Sequence, residues 1–294
     1  MPLNFEPIGM ERQSEYRERL ARCGQIASDY SFINIWGWGE EYGLQWAWQD
    51  GLVWIRQTKP KTALWAPVGD WSAVDWVSAL KEAGTVADRI VRVPEPLALT
   101  LAAFIDPARP PAESREHWDY LYKRQELVEL KGNRFHKKKN LLNQFLSTYT
   151  HTYLPMSDAM IEQALNLQED WCTWRDCESN DTLAAENKAI ARVLHHWHKL
   201  QGITGGALKA NDLLVAYTIA ETLPDKSLVI HFEKGCPDYK GSYQAINQIF
   251  LAHAPEEYAL VNREQDIGDE GLRKAKLSYN PVGFVKKYEV RLRP

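Results

Sequence analysis

The run Lys234-Gly235-Cys236-Pro237-Asp238-Tyr239-Lys240-Gly241, followed by Ser242 and Tyr243, is spaced as a strand end, a glycine turn and a helix start. Backbone N–H groups at a helix N-terminus are unpaired and lie at the positive end of the helix dipole, so such a turn suits phosphate oxygens. Lys240 would add a charged contact, and Ser242 is the expected N-cap. An ordinary strand-to-helix turn would also use a glycine there. A second anion-seeking feature is Lys131 to Lys139, where Lys131, Arg134, Lys137, Lys138 and Lys139 join His136 at the start of a helical pattern. Cations at a helix N-terminus oppose its dipole, a cost that contact with tRNA or a cofactor phosphate would offset. A solvated basic turn is the alternative.

Other chemistry finds less support. His195, His196 and His198 lack a carboxylate or cysteine partner at a convincing spacing, so no metal is expected. No Gly-x-Ser-x-Gly elbow marks a serine hydrolase. Eight of the twelve tryptophans fall between Trp36 and Trp76, but Trp46, Trp48 and Trp54 alternate with other residues as half-buried strand residues do, which favours core packing over a carbohydrate site. Cys23, Cys172, Cys177 and Cys236 are too few and scattered for a disulfide framework and suit a reducing compartment. A net charge of -4 gives no overall pull toward nucleic acid or anionic lipid, so any polyanion site must be local. No stretch is apolar enough to cross a bilayer, and the N-terminus lacks the apolar run of a signal peptide, so a cytoplasmic location is expected.

The elements that must position these residues divide at DPARPPAES, Asp106 to Ser114, whose prolines exclude a regular helix or central strand. Length favours two domains, taken as 1–128, tryptophan-rich, and 129–294, entered through the basic helix. In the first, Met10 to Cys23 and Asp75 to Ala83 read as helices, and Leu44 to Trp48 with Leu52 to Arg56 as a hairpin on an Asp50-Gly51 turn. In the second, Lys137 to Tyr149 is helical, as is Asp158 to Trp174, where Ile161, Ala164, Leu165, Trp171 and Cys172 keep a 3.6-residue period. Ile190, Val193, Leu194 and Trp197 mark another helix. Three strands follow as an antiparallel meander, over Gly205 to Leu208, Asp212 to Leu223 and Lys226 to Glu233. After the Gly241 turn and its helix come a strand at Glu257 to Asn262, a helix at Asp269 to Tyr279 and a final strand at Gly283 to Leu292. The class is α+β.

This order of elements, with the pattern Ala275-x-x-x-Tyr279-x-x-x-Gly283-Phe284, resembles the GNAT acyltransferase fold. Where the usual acetyltransferase loop has Arg or Gln, a central glycine and then Gly or Ala, this chain has Asp238, Gly241 and Tyr243. A closer resemblance covers nearly the whole chain. Ser28-Asp29-Tyr30-Ser31-Phe32, Trp118-Asp119-Tyr120-Leu121-Tyr122, Leu130 to Asn140, Asn262 to Gly268 and Leu272 to Tyr279 are similar to the family named for the C-terminal domain of bacterial phosphatidylglycerol lysyltransferase. That resemblance implies two tandem GNAT-like domains, each a mixed, mostly antiparallel sheet flanked by helices. It also implies kinship with Fem-type aminoacyltransferases, whose donor is aminoacyl-tRNA and which need no coenzyme A loop.

Within such a fold the expected donor is acyl-CoA or aminoacyl-tRNA, held by Phe232, Glu233, Lys234, Tyr239, Lys240, Gly241, Ser242, Tyr243 and Asn262. Acyl transfer needs a nucleophile, oxyanion stabilisation and a proton for the leaving group. Tyr279 is the candidate acid, and Glu264 and Asp266 the candidate base or amine-binding carboxylates. Arg263, Arg273 and Lys276 flank the same cleft, the latter two on one helix face, and with Lys131, Arg134, Lys137 and Lys138 they would bind an anion or the acceptor. A core tyrosine, turn carboxylates and a solvated helix face are the non-catalytic counterparts. The competing function is a non-catalytic module of the same fold that binds RNA or another phosphate-bearing ligand.

Overall fold

The computed structural model describes residues 2–292. Its strands in the first part of the chain are β1 (Glu6–Pro7), β2 (Gln45–Gln49), β3 (Leu52–Gln57), β4 (Ala63–Trp65), β5 (Arg89–Pro94), β6 (Ala112–Glu113) and β7 (Asp119–Lys123). They are followed by β8 (His151–Pro155), β9 (Ile203–Ala210), β10 (Leu213–Thr222), β11 (Leu228–Gly235), β12 (Leu260–Asn262), β13 (Gly283–Val285) and β14 (Lys287–Arg291). They form two seven-stranded sheets, ordered β1-β2-β3-β4-β5-β14-β6 and β13-β7-β12-β11-β10-β9-β8.

The two orders repeat one plan. Each sheet has an antiparallel meander, then one parallel pair, then an antiparallel strand on the far side of that pair. A parallel pair needs a crossover, supplied by the helices Trp76–Val86 and Ser242–His253 respectively. The strand that covers the pair comes from the other half of the chain in both sheets: β14 pairs with β5, and β7 pairs with β12. Accordingly the compact units are not the contiguous 1–128 and 129–294 expected. One comprises the chain up to Asp119, Gln265–Asp269 and the chain from Phe284, and the other Tyr120–Glu264 and Glu270–Gly283. The expected final strand over 283–292 is two strands that belong to different sheets, β13 beside β7 and β14 beside β5.

In the first unit the hairpin turns where the sequence asks it to. Asp50 and Gly51 both take positive φ, 50° and 82°, the pair of left-handed residues that a two-residue hairpin requires. Trp46, Trp54, Trp65 and Trp76 are buried, so these tryptophans build the core. The proline-rich segment contributes only β6, an edge strand.

In the second unit the sheet separates two helical layers. The helix Ser242–His253 packs on β9 to β11 together with Arg124–Glu129 and His136–Thr148, and the helix Asp158–Trp174 packs on β10 and β11 and on the helix Asp181–His195. Asn180 caps the latter, its side chain accepting from Thr182 N and Leu183 N at 3.1 Å. The buried stripe of Asp158–Trp174 is Met160, Ala164, Leu167, Gln168 and Trp171, rotated from the expected one so that Ile161 and Leu165 are half-buried. Cys172 and Cys177 are joined as a disulfide, a link between a helix end and the next turn that the scattered cysteines did not suggest. Among the described residues no helix is long and apolar enough to cross a membrane.

Candidate functional site

The parallel pair of the second sheet parts early. β11 and β12 match only at Leu228–Val261 and Val229–Asn262, whereas β11 continues to Gly235 along β10. After Asn262 the chain turns away through Glu264, which takes a left-handed φ of 56°. Such a backbone costs energy for a residue with a side chain and needs support. Asn262 provides it by accepting the Glu264 N–H at 2.8 Å, and Lys276 Nζ donates to the carbonyls of Arg263 and Glu264. From Ile230 onward, β11 thus has an edge with no strand opposite it on this side.

Side chains gather at that opening on the face toward Ser242–His253. Glu233 accepts from Arg263 Nη2 at 2.8 Å and from Asn247 Nδ2 at 3.0 Å. The Arg263 guanidinium lies 4.9 Å from the Tyr279 ring centroid, and Lys138 Nζ lies 4.3 Å from the same centroid. Burial raises the Tyr279 pKa above the usual phenol value, even though hydrogen bonds with Gln244 and Arg263 work the other way. The phenol therefore keeps its proton at neutral pH. Burial also lowers the pKa of Lys138, helped by Arg263 and opposed by Glu233. A protonated phenol, two cations and a carboxylate thus stand around the parted strands, groups suited to steadying an oxyanion and protonating a leaving oxygen.

Glu264 joins a second group. Its Oε1 lies 2.8 Å from His231 Nδ1, while His231 Nε2 lies 3.3 Å from Glu221 Oε2. Burial alone would depress the imidazole, but hydrogen bonds to the two carboxylates outweigh it and hold His231 up to about 9. A cationic imidazolium therefore pins Glu264 at the mouth of the opening.

Several expected site residues make packing contacts. Gly241 has φ 91°, and a Cβ there would stand 2.2 Å from Leu141 O, so its glycine is required by contact with the helix His136–Thr148. Gly241, not Ser242, is the N-cap. Ser242 is the first helical residue and its Oγ donates to Cys236 O at 3.0 Å. Tyr243 accepts from Trp171 Nε1 at 2.9 Å, Tyr239 rests on Tyr149, and Lys240 is exposed. Phe232 is buried, and Lys234 points to the opposite face from Glu233, where it meets Glu186. Asp266 does not join Glu264. It belongs to the first unit, is fully buried, and accepts from Arg115 at 3.2 Å and from Gly268 N at 3.0 Å.

The basic residues separate as well. Lys131 pairs with Glu129 and Arg134 with Glu126 on the surface, Lys137 is exposed, and only Lys138 turns inward. Arg273 is half-buried on the helix Glu270–Leu277, whose Lys276 is spent on backbone carbonyls. His198 meets the carboxylate of Asp158, and His196 the carbonyl of Arg192. Among the described residues no cluster of His, Cys, Asp or Glu could hold a metal ion. Asn247, Gln244, His231 and Glu221 are site neighbours that the sequence did not single out. A register shift against β10 leaves His231 without a direct cross-strand partner, so alternation along β11 could not have placed it.

The first sheet carries the same opening in a closed form. β4 and β5 pair in parallel only at Leu64–Ile90 and Trp65–Val91. The next backbone groups, Ala66 N–H and Arg92 C=O, are bridged by the Tyr30 hydroxyl at 2.9 Å to each. Arg92 is held by the Asp29 carboxylate and lies 4.4 Å from the Trp65 ring centroid. Lys287 neutralises Asp29 and Asp119 in the same buried group.

A profile of the family described as phosphatidylglycerol lysyltransferase, C-terminal, matches residues 20–291. A conserved protein of unknown function from Bacteroides thetaiotaomicron has a crystal structure with TM-score 0.90 and 31% identity, covering 99% of this chain and 100% of that one. L-PGS from Bacillus licheniformis superposes with TM-score 0.66 at 12% identity, over 99% of this chain and 94% of that one. FemX does so with TM-score 0.51 at 10% identity, over 99% and 96%. The tandem GNAT protein of the clavulanic acid pathway is similar at TM-score 0.50, and with FemX it shows that both units have the GNAT-like fold. An uncharacterized protein of Mycoplasmoides gallisepticum is 28% identical over 183 residues, 59% of this chain and only about half, 56%, of its own length.

Proposed function

The chain belongs to the phosphatidylglycerol lysyltransferase C-terminal family, and from that premise we propose that it transfers an aminoacyl group from charged tRNA to a hydroxyl or amine acceptor. The observation that carries this reading is the opening between β11 and β12, with Tyr279, Arg263, Glu233 and Lys138 at its edge. In the reaction, the acceptor oxygen or nitrogen bonds to the ester carbonyl carbon and the bond from that carbon to the ribose oxygen breaks. Tyr279 gives its proton to the departing ribose oxygen and regains one from the acceptor. Arg263 and Lys138 offset the negative charge that develops on the carbonyl oxygen. Glu264, held in place by His231, suits an ammonium of the acceptor.

Acyl-CoA is the alternative donor, and the Gly241 loop weighs against it. Its glycine is consumed by packing on Leu141, and Tyr243 is tied to Trp171, which leaves little room for a close pyrophosphate. The exposed Lys131, Arg134 and Lys137 suit a long polyanion better. Charged tRNA is made in the cytoplasm, which is where this reading places the protein.

Thermal-shift titration with coenzyme A, acetyl-CoA and charged tRNA separates the donors, and a shift with charged tRNA alone is expected. Tyr279→Phe and Glu264→Gln should stop transfer while sparing donor binding. Native-like turnover in both variants would remove those assignments, and donor binding without turnover in the native chain would make it a binding module.

A further inference from the structure

Cys172 and Cys177 are joined across the turn that ends the helix Asp158–Trp174, and both sides of the link lead to Lys234 on β11. On one side, Trp171 stands next to Cys172 in the last turn of that helix. Its ring centroid lies 3.6 Å from Lys234 Nζ, and its Nε1 donates to the Tyr243 hydroxyl at 2.9 Å. Three residues earlier, Gln168 accepts at 2.5 Å from the hydroxyl of Tyr217, the partner of Lys234 across β10 and β11. On the other side, Cys177 O accepts the N–H of Asn180 at 3.1 Å. Asn180 caps the helix Asp181–His195, and Glu186 of that helix accepts from Lys234 Nζ at 2.7 Å. Lys234 is buried, so its ammonium depends on these partners.

The turn itself is weakly held. Thr173, Trp174, Arg175 and Asp176 are exposed, and Asp176 takes a left-handed φ of 51°, which is disfavoured for a residue with a side chain. The backbone N–H groups of Arg175, Asp176, Ser179 and Asn180 bond no farther back than Trp171. The disulfide favours the closed turn by restricting the opened chain. What it fastens reaches the candidate site, because Glu233 precedes Lys234 on β11, and Gln244 and Asn247 follow Tyr243 on the helix Ser242–His253. Thiols are kept reduced in the cytoplasm, where the aminoacyl-transfer reading puts this chain, and a disulfide found there is ordinarily transient or redox-sensing.

We propose that the Cys172–Cys177 link is a redox switch on the transfer site. Oxidised, it clamps Lys234 and Tyr243 through Trp171 and Glu186. Reduced, it lets the corner between the two helices loosen, and Glu233 and Asn247 lose their fixed places. Cys172 is half-buried and Cys177 buried, so Cys172 Sγ is the atom open to attack. A thiolate of a protein dithiol bonds to it, the bond between the two cysteines breaks, and Cys177 leaves as a thiolate and takes up a proton. The second thiolate of the dithiol then displaces Cys172, so that two electrons and two protons pass to the chain and the dithiol becomes a disulfide. Hydrogen peroxide reverses the change. It oxidises Cys172 to a sulfenic acid, on which Cys177 condenses, and two waters are released in all. The inference rests on the aminoacyl-transfer reading.

The native chain is treated with thioredoxin, its reductase and NADPH, and afterwards with hydrogen peroxide. Alkylation and peptide mass spectrometry should show the link between Cys172 and Cys177 lost and then regained without denaturant. In the reduced chain, amide hydrogen exchange over 171–180 and 243–247 should quicken by about tenfold, and the melting temperature should fall by about 3–6 °C. Transfer from charged tRNA should fall by about tenfold on reduction and recover with peroxide. The double variant Cys172→Ser with Cys177→Ser should behave as the reduced chain and ignore both reagents, and circular dichroism establishes that it is folded. A link that resists thioredoxin in the folded chain, or exchange over 243–247 that is unchanged by reduction, overturns the switch. Hydrogen exchange needs neither donor nor acceptor, so the two readings fail separately. Redox-dependent exchange without transfer in either state removes only the transferase, and equal transfer by the oxidised and reduced chains removes only the switch.

Discussion

Arg92 and Arg263 hold the same place in the two sheets, each directly after a two-residue parallel pairing and each gripped by a carboxylate, Asp29 in one and Glu233 in the other. Their neighbours differ. Tyr30 bridges Ala66 N–H to Arg92 C=O and seals the first opening, while Tyr279 stands over Arg263 without bridging the parted strands. The chain should accordingly bind one donor, not two. Tyr30→Phe leaves both backbone groups buried and unpaired, and should lower stability by about 1–3 kcal/mol in urea unfolding. Donor stoichiometry should stay at one per chain, and a loss of transfer in a folded Tyr30→Phe would give the first opening a part in catalysis.

The pair Arg263–Glu233 should be strongly coupled. Their side chains are only 14% and 10% exposed, and removing one member of a buried pair costs about 3–5 kcal/mol because the other charge is stranded. Arg263→Met should show that loss, and Arg263→Met with Glu233→Leu should recover part of it. Transfer should be lost in both. A double-mutant cycle from denaturant midpoints measures the coupling, and strictly additive losses would mean that the ion pair contributes nothing.

The sequence made the second unit more legible than its boundaries. Apolar periodicity located the helices after residue 136, and the turn signals Asn211-Asp212 and Pro224-Asp225 divided the meander, because both leave a local pattern. It could not show that β14 covers β5 or that β7 covers β12, since edge covering is settled between segments far apart in the chain. Tyr279, Arg263 and Lys138 were singled out and do meet. Gln168 was passed over because a search for apolar periodicity skips a buried amide. Asp266 was grouped with Glu264 by proximity in sequence, but the left-handed turn at Glu264 sends the two carboxylates to different surroundings.

Gly241→Ala distinguishes packing from phosphate approach. The residue has φ 91° and its Cβ would meet Leu141 O at 2.2 Å and Phe145 Cβ at 3.1 Å. The backbone conformation alone makes alanine unfavourable by about 1 kcal/mol or more, and the clash with a helix carbonyl adds to it. A lowered melting temperature is expected, with donor affinity per folded molecule preserved. Unaltered melting with abolished donor binding would instead restore the loop as a phosphate cradle.

His231 should give the protein a stability that fades in alkali. Its ordinary pKa is near 6.5, and the hydrogen bonds to Glu221 and Glu264 hold it up to about 9 in the folded chain in spite of burial. A group whose pKa is raised on folding stabilises the native state fully below its unfolded pKa, and loses that contribution as pH rises through the folded value. The window thus runs from about pH 6.5 to about pH 9, with on the order of 3 kcal/mol at stake. Urea midpoints measured across it should fall steadily for the native chain. His231→Gln should start lower and stay flatter, since a neutral amide has no proton to lose. Glu264→Gln should shift the fall to lower pH, because one of the two carboxylates that sustain the imidazolium is gone. Parallel curves for native and His231→Gln would mean that His231 is neutral between its carboxylates.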